Sequence, residues 1–203
     1  IEGLRELLRP PVQLDGIYYD GIAFGVDTMR RVRRLLDAER PHGLIDLHCG
    51  NNMLGEQYGK VSPALQFMHL MAYIDSLWFG EGFDYNEEPD YWLVEVSGLP
   101  FGLMGDMMRE GNAWRGMLYG TGARFRGADP SPVWHLWDLF GIGNCTMHGY
   151  WEAEPPVRVL EPCSADVKAT SYVRQGDAAL IVLAGWNLYA RDCRLRIAWE
   201  RMG

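Results

Sequence analysis

Three short apolar runs in this chain each end in a group that can hold a charge or move a proton. GIYYD ends in Asp20, GLIDLH in His48 and SLWFGE in Glu81. Cleavage of a glycosidic bond uses two carboxyl groups across a sugar. One protonates the leaving oxygen, and the other acts as nucleophile, base or charge stabiliser. Asp20 and Glu81 are the candidate catalytic pair, because they close two predicted strands that are not adjacent. The alternatives are structural. Asp20 precedes Gly21, and Asp-Gly is a common turn dipeptide.

Strand alternation sorts the neighbours of these groups. Leu44, Asp46 and His48 share one face of GLIDLHC, while Ile45, Leu47 and Cys49 share the other. The apolar set suits packing on helices, which leaves Asp46 and His48 for a polar mouth. Tyr18 falls with Asp20, and Leu77 and Phe79 fall with Glu81. Asn51 and Asn52 follow in a loop, where amides bind hydroxyls or form turns. His48 and His148 are candidates for sugar hydroxyls or for satisfied buried positions. Tyr85, Trp92, Tyr119, Tyr150 and Trp151 are the candidate stacking rings, with Trp78 and Trp114 behind them; core packing is the alternative for all. Glu95 sits in the apolar run LVEVSG, and Asp84, Glu87, Glu88 and Asp90 fall in an acidic loop.

Other chemistries lack their motifs. There is no H-x-x-x-H pair, EF-hand loop, nucleophile elbow, P-loop or G-x-G-x-x-G. No metal and no cofactor is expected. A Schiff-base lysine is disfavoured, because Lys60 and Lys168 are the only lysines and neither closes a predicted strand.

The elements that would position these groups alternate between strand and helix. Leu4–Leu8 is a short amphipathic piece stopped by Pro10 and Pro11. Residues 16–20 read as a strand. Asp27 or Thr28 caps a helix to about Ala38, with Met29, Val32, Leu35 and Leu36 on its apolar face. Residues 43–49 are the second strand, a helix runs from Ser62-Pro63 to about Tyr73, and 75–80 are the third strand. The segment 93–109 reads as helical in its second half, 114–120 as the fourth strand, 131–140 as a helix stopped by Gly141, and 144–151 as the fifth strand. Beyond Pro155-Pro156 the pattern becomes short β segments, with Gln175-Gly176-Asp177 as a hairpin turn.

This order predicts an α/β fold: the C-terminal part, strands four to eight, of a (β/α)8 barrel over 1–154, followed by a small antiparallel β domain over 157–203. A whole barrel takes roughly 200 to 250 residues. The remainder is therefore expected in an N-terminal part of the same protein, and the fragment alone is expected to be inactive and of low independent stability.

Composition narrows the partners. A net charge of -8 over 203 residues offers no broad cationic surface for nucleic acid. Arg30, Arg31, Arg33 and Arg34 cluster on a predicted helix, as a solvated face does. No apolar run reaches the length of a membrane span. Cys49, Cys145, Cys163 and Cys193 are scattered without a C-x-x-C pair. Eight Trp, ten Tyr and seven Phe suit a glycan site or a large core.

The segments YYDGIAF, GLIDLHCGNN, YIDSLWFGEGFDY, YWLVEVSGLPFGLMGDM, WRGMLYG and HGYWE resemble the C-terminal half of large bacterial proteins related to glycoside hydrolase family 123. The resemblance covers most of 14–152. It implies a catalytic barrel flanked by β-sandwich domains, a carbohydrate substrate that includes N-acetylhexosamines, and a periplasmic or extracellular setting. In that family an adjacent Asp-Glu pair does the chemistry. The Asp orients the substrate's acetamido group as nucleophile, and the Glu is the acid/base. No Asp-Glu dipeptide closes a strand here. The resemblance therefore assigns the acid role to Glu81 from another strand, or implies a diverged site. A glycan-binding barrel without catalysis is the rival reading.

Overall fold

The computed structural model describes residues 1–20, 24–48, 67–78, 87–95, 97, 99, 104–105, 113–121, 129–186, 189 and 192–202. They divide into two compact units, Ile1–Asp84 with Asp90–Met107, and Tyr85–Pro89 with Met108–Gly203.

The first unit holds α1 (Glu2–Leu8), β1 (Gly16–Asp20), α2 (Val26–Glu39), β2 (Leu44–His48), a 3-10 turn over Met68–Tyr73, β3 (Ser76–Trp78) and β4 (Met104–Gly105). The strands form one parallel sheet in the order β1-β2-β3-β4. Helix α2 forms where its apolar spacing predicts, with Met29, Val32, Leu35 and Leu36 buried. Its N-cap is Gly25, two to three residues ahead of the expected Asp27 or Thr28, and it makes no side-chain cap. Ile45, Leu47 and Leu77 face this layer and are fully buried with Leu70, beside the buried Met71 and Ile74. Each such side chain contributes about 1.5–3 kcal/mol through burial. Asp75 joins the layers at the sheet's N-terminal edge. Its Oδ2 accepts from Ile45 N and Arg33 Nη1, both at 2.8 Å, and Arg33 Nη2 donates to Gly43 O at 2.8 Å.

Helix α3 (Pro89–Glu95) lies earlier than the helix expected within 93–109, where Met104–Gly105 instead pairs as β4 with β3. Two expected barrel strands are corrected. Residues 114–120 are not a strand. They follow α4 (Ala113–Gly116) as turns whose amides bond three residues back: Met117 to Trp114, Leu118 to Arg115 and Tyr119 to Gly116. Those amides are spent locally and cannot join a ladder. Residues 144–151 do not extend the parallel sheet either. Their strand β5 (Thr146–His148) comes after α5 (Ser131–Phe140) and is antiparallel to β7 (Val167–Arg174).

The second unit is a small sandwich. One sheet runs β5-β7-β8, with β8 at Ala178–Gly185, and the other pairs β6 (Val157–Val159) with β9 (Leu195–Ile197). Val157, Ala169, Val173 and Met202 form the core between them. The β7–β8 turn carries Gly176 at φ +74°, as a tight hairpin needs. On the other face of β7, Thr170 Oγ1 donates to Leu118 O at 2.7 Å, Tyr172 donates to Met117 O, and Arg174 donates to Phe140 O. Among the described residues, no helix is long and apolar enough to cross a membrane.

Leu77→Ala, which empties a fully buried position under the parallel sheet, is expected to cost about 2–5 kcal/mol. Leu139→Ala, at a position 72% exposed, should stay within about 0.5 kcal/mol of the parent. Urea denaturation of both variants checks the assignment of Leu77 to the core and of Leu139 to the surface.

Candidate functional site

In a parallel sheet, residues in register present their side chains on the same face. Register sets Tyr18 beside Asp46 and Asp46 beside Ser76. One step further along, Asp20 stands beside His48 and His48 beside Trp78. The face opposite the helix layer is thus a polar surface that reaches the C-terminal ends of β1, β2 and β3. In parallel α/β folds this end carries the chemistry, because the loops that leave it can be varied without disturbing the core.

His48 is the hub of that surface. Its Nδ1 lies 2.8 Å from Asp20 Oδ1 and 3.0 Å from the Tyr18 hydroxyl. An ionised carboxylate can only accept, so the proton is assigned to Nδ1, shared between the two oxygens. The Tyr18 and His48 rings stack at 6.2 Å with an interplanar angle of 19°. The His48 side chain is 9% exposed and that of Asp20 71%, so a buried imidazole anchors a carboxylate that stands in solvent. A hydrogen bond to an acceptor this exposed contributes little to stability. Its effect is to orient the carboxylate.

Asp46 sits one layer deeper and accepts from Ser76 Oγ at 2.8 Å. Burial pushes its carboxyl above the ordinary range, and the Ser76 hydrogen bond opposes this more weakly. Sequence reasoning grouped Tyr18 with Asp20 but gave it no role, and it missed Ser76. Ser76 opens its strand one residue before Leu77, so alternation sets it on the face away from the helix-side core. Only the register with Asp46 shows what that hydroxyl bonds.

The other expected residues are distributed as follows. Glu81, Asn51, Asn52 and Tyr85 lie outside the described residues, and Leu77, with which alternation grouped Glu81, belongs to the helix-side core. Trp92 and Tyr119 are core residues, each 1% exposed, in place of the stacking surfaces expected of them. The Tyr119 hydroxyl donates to Pro89 O at 3.1 Å. His148 ends an antiparallel strand, not the last barrel strand, and Tyr150 and Trp151 follow it. His148 Nδ1 is 3.1 Å from Glu152 Oε2, and the Tyr150 ring meets Trp151 edge-on at 5.2 Å. Among the described residues, no group of three or more His, Cys, Asp or Glu is placed to hold a metal ion.

Two family models match this chain. Residues 1–126 match "Glycoside hydrolase 123, TIM-barrel domain", and residues 129–203 match "Glycoside hydrolase 123, C-terminal domain". No curated protein and no solved structure matches it.

The raised Asp46 carboxyl has a signed consequence. The folded protein holds this proton more tightly than the unfolded chain. The resulting stabilisation is therefore complete below the ordinary carboxylate value, and it is lost as pH rises through the raised folded value. Asp46→Asn keeps an acceptor for Ser76 without the charge. Its Tm is expected to exceed that of the parent at about pH 7, and the gap should narrow at about pH 3, below the ordinary Asp value of ~3.9. Calorimetry at the two pH values checks this.

Proposed function

We propose, from the premise that this chain belongs to the glycoside hydrolase 123 family, that it carries part of the active site of a (β/α)8 barrel that hydrolyses a glycan containing N-acetylhexosamine. The observation that carries the proposal is the Tyr18–His48–Asp20 cluster. It is a carboxylate oriented by a buried imidazole where parallel strands end. The four parallel strands are taken as part of the barrel, and the second unit as its accessory β domain.

In this reading the 2-acetamido oxygen of the substrate attacks its own anomeric carbon, while Asp20 accepts a hydrogen bond from the acetamido N–H and balances the positive charge that develops. Glu81 gives its proton to the leaving oxygen, and in the second step it takes a proton from the water that opens the cyclic intermediate. His48 fixes the Asp20 carboxylate, and Asp46 with Ser76 supports the floor on which the ring sits. Asn51 and Asn52 would bind sugar hydroxyls. Among the described residues, Tyr18, 47% exposed, offers this face a ring for stacking.

One feature favours a second reading, a glycan-binding barrel without turnover. Asp20 is followed by Gly21, so the adjacent acid of an Asp-Glu pair is absent from this strand end.

The test is hydrolysis of nitrophenyl glycosides, with 2-acetamido sugars and their 2-hydroxy counterparts side by side, by the full-length gene product. Turnover is expected for the 2-acetamido sugars alone. Asp20→Asn and Glu81→Gln should each lower kcat/KM by at least about a hundredfold, the scale of a lost acid–base group. Turnover unchanged in both variants would place the chemistry elsewhere. A folded protein that binds glycans and turns over none would establish the second reading.

A further inference from the structure

The second unit contains a cleft of about 220 Å³, bounded by the loop after β5, by β6 and by the start of β7. It is smaller than the ~300–1,000 Å³ of pockets that enclose drug-sized ligands, and so it suits one sugar ring. Its walls combine apolar surface from Val157 with Tyr150, Glu152, Arg158, Ser164 and Lys168.

The hydrogen bonds already made in this cleft decide what it can take. Both oxygens of Glu152 are engaged within the loop, Oε2 with His148 Nδ1 at 3.1 Å and Oε1 as acceptor from Gly149 N at 3.1 Å. Lys168 Nζ donates to the neutral Ser164 carbonyl at 2.9 Å and lies 5.9 Å from the centre of the Tyr150 ring. No carboxylate among the described residues pairs with it. An ammonium carries three donors, and this contact uses one. Arg158 donates to Ala153 O and meets Glu154 at 2.7 Å, but the Glu154 side chain is 85% exposed, so the pair is a weak competitor for a ligand. Each Glu152 oxygen thus already meets a donor of its own loop, while the Lys168 ammonium at the cleft wall keeps two of its three donors for a ligand.

We propose that this cleft binds a sugar ring that bears an anionic group, a carboxylate or a sulfate, with Lys168 and Arg158 on the anion and Tyr150 against the ring. The site would let the protein hold an acidic residue of a glycan. The sugar part rests on the glycan reading above, and the anion part on the cleft alone.

Calorimetric titration of the full-length protein tests it, with methyl glucuronide and N-acetylglucosamine 6-sulfate as probes. Methyl glucoside, N-acetylglucosamine and inorganic sulfate are the controls. At least one acidic sugar is expected to bind tenfold or more tightly than its neutral counterpart and than sulfate, with affinity falling as salt rises. The acidic probe that binds identifies the anion. Lys168→Met and Arg158→Met should each weaken that binding about tenfold, and Lys168→Arg should retain most of it. All three should keep the parent Tm and any nitrophenyl glycoside turnover. Equal binding of acidic and neutral sugars, binding of sulfate alone, affinity unchanged in both Met variants, or no binding of any probe would overturn the proposal. Because binding is measured without turnover, its failure stays distinct from failure of the hydrolase reading.

Discussion

Strand β2 has to satisfy two opposite environments, and the rest of the N-terminal unit depends on how it does so. Ile45 and Leu47 must enter the layer formed by α2 and the 68–73 turn, while Asp46 and His48 must avoid it. Because side chains alternate with a period of two, a slip of one residue against β1 or β3 would exchange the two sets. That would bury a carboxyl and an imidazole among aliphatic groups. The register is therefore strongly determined. Asp75 reinforces it from the edge by accepting from both the Ile45 amide and Arg33.

The candidate site is a consequence of that register. Once Asp20 stands beside His48 and Asp46 beside Ser76, the hydrogen bonds between them need no further backbone adjustment. Burial then differentiates two carboxyl groups of the same chemical type. Asp20 stands in solvent on a histidine anchor, while Asp46, deeper in the sheet, is pushed toward its neutral form. Two acids on one face of a single sheet thus stand in different environments.

The second unit is organised around β7. One face of that strand closes the sandwich core through Ala169 and Val173. The other face supplies donors to the backbone oxygens of Met117, Leu118 and Phe140. Helix and turn ends leave carbonyls without partners, and side chains of one long strand satisfy several of them at once. This explains why a segment as apolar as WRGMLYG coils beside β7 and does not become a strand itself.

Much of this was determined locally and could be read from the amino-acid order. The apolar stripe of α2, the alternation in β1 and β2, the left-handed stop at Gly141 (φ +70°) and the β7–β8 turn at Gly176 all depend on neighbours within a few residues. The grouping of Asp46 with His48, and of Tyr18 with Asp20, follows from the same alternation. Tertiary structure decided what local order leaves open. A short apolar run has the same pattern whether it lies in a parallel strand, an antiparallel strand or a buried turn. The choice for 114–120 and for Thr146–His148 was made by bonds to β7 across 23 to 55 residues of sequence. In the same way an aromatic side chain carries no mark of whether it will face a sugar or a core. Trp92 and Tyr119 became core because packing around them closed. The sharing of His48 Nδ1 between Tyr18 and Asp20 depends on a distance between two strands, and such a distance exists only in the folded sheet.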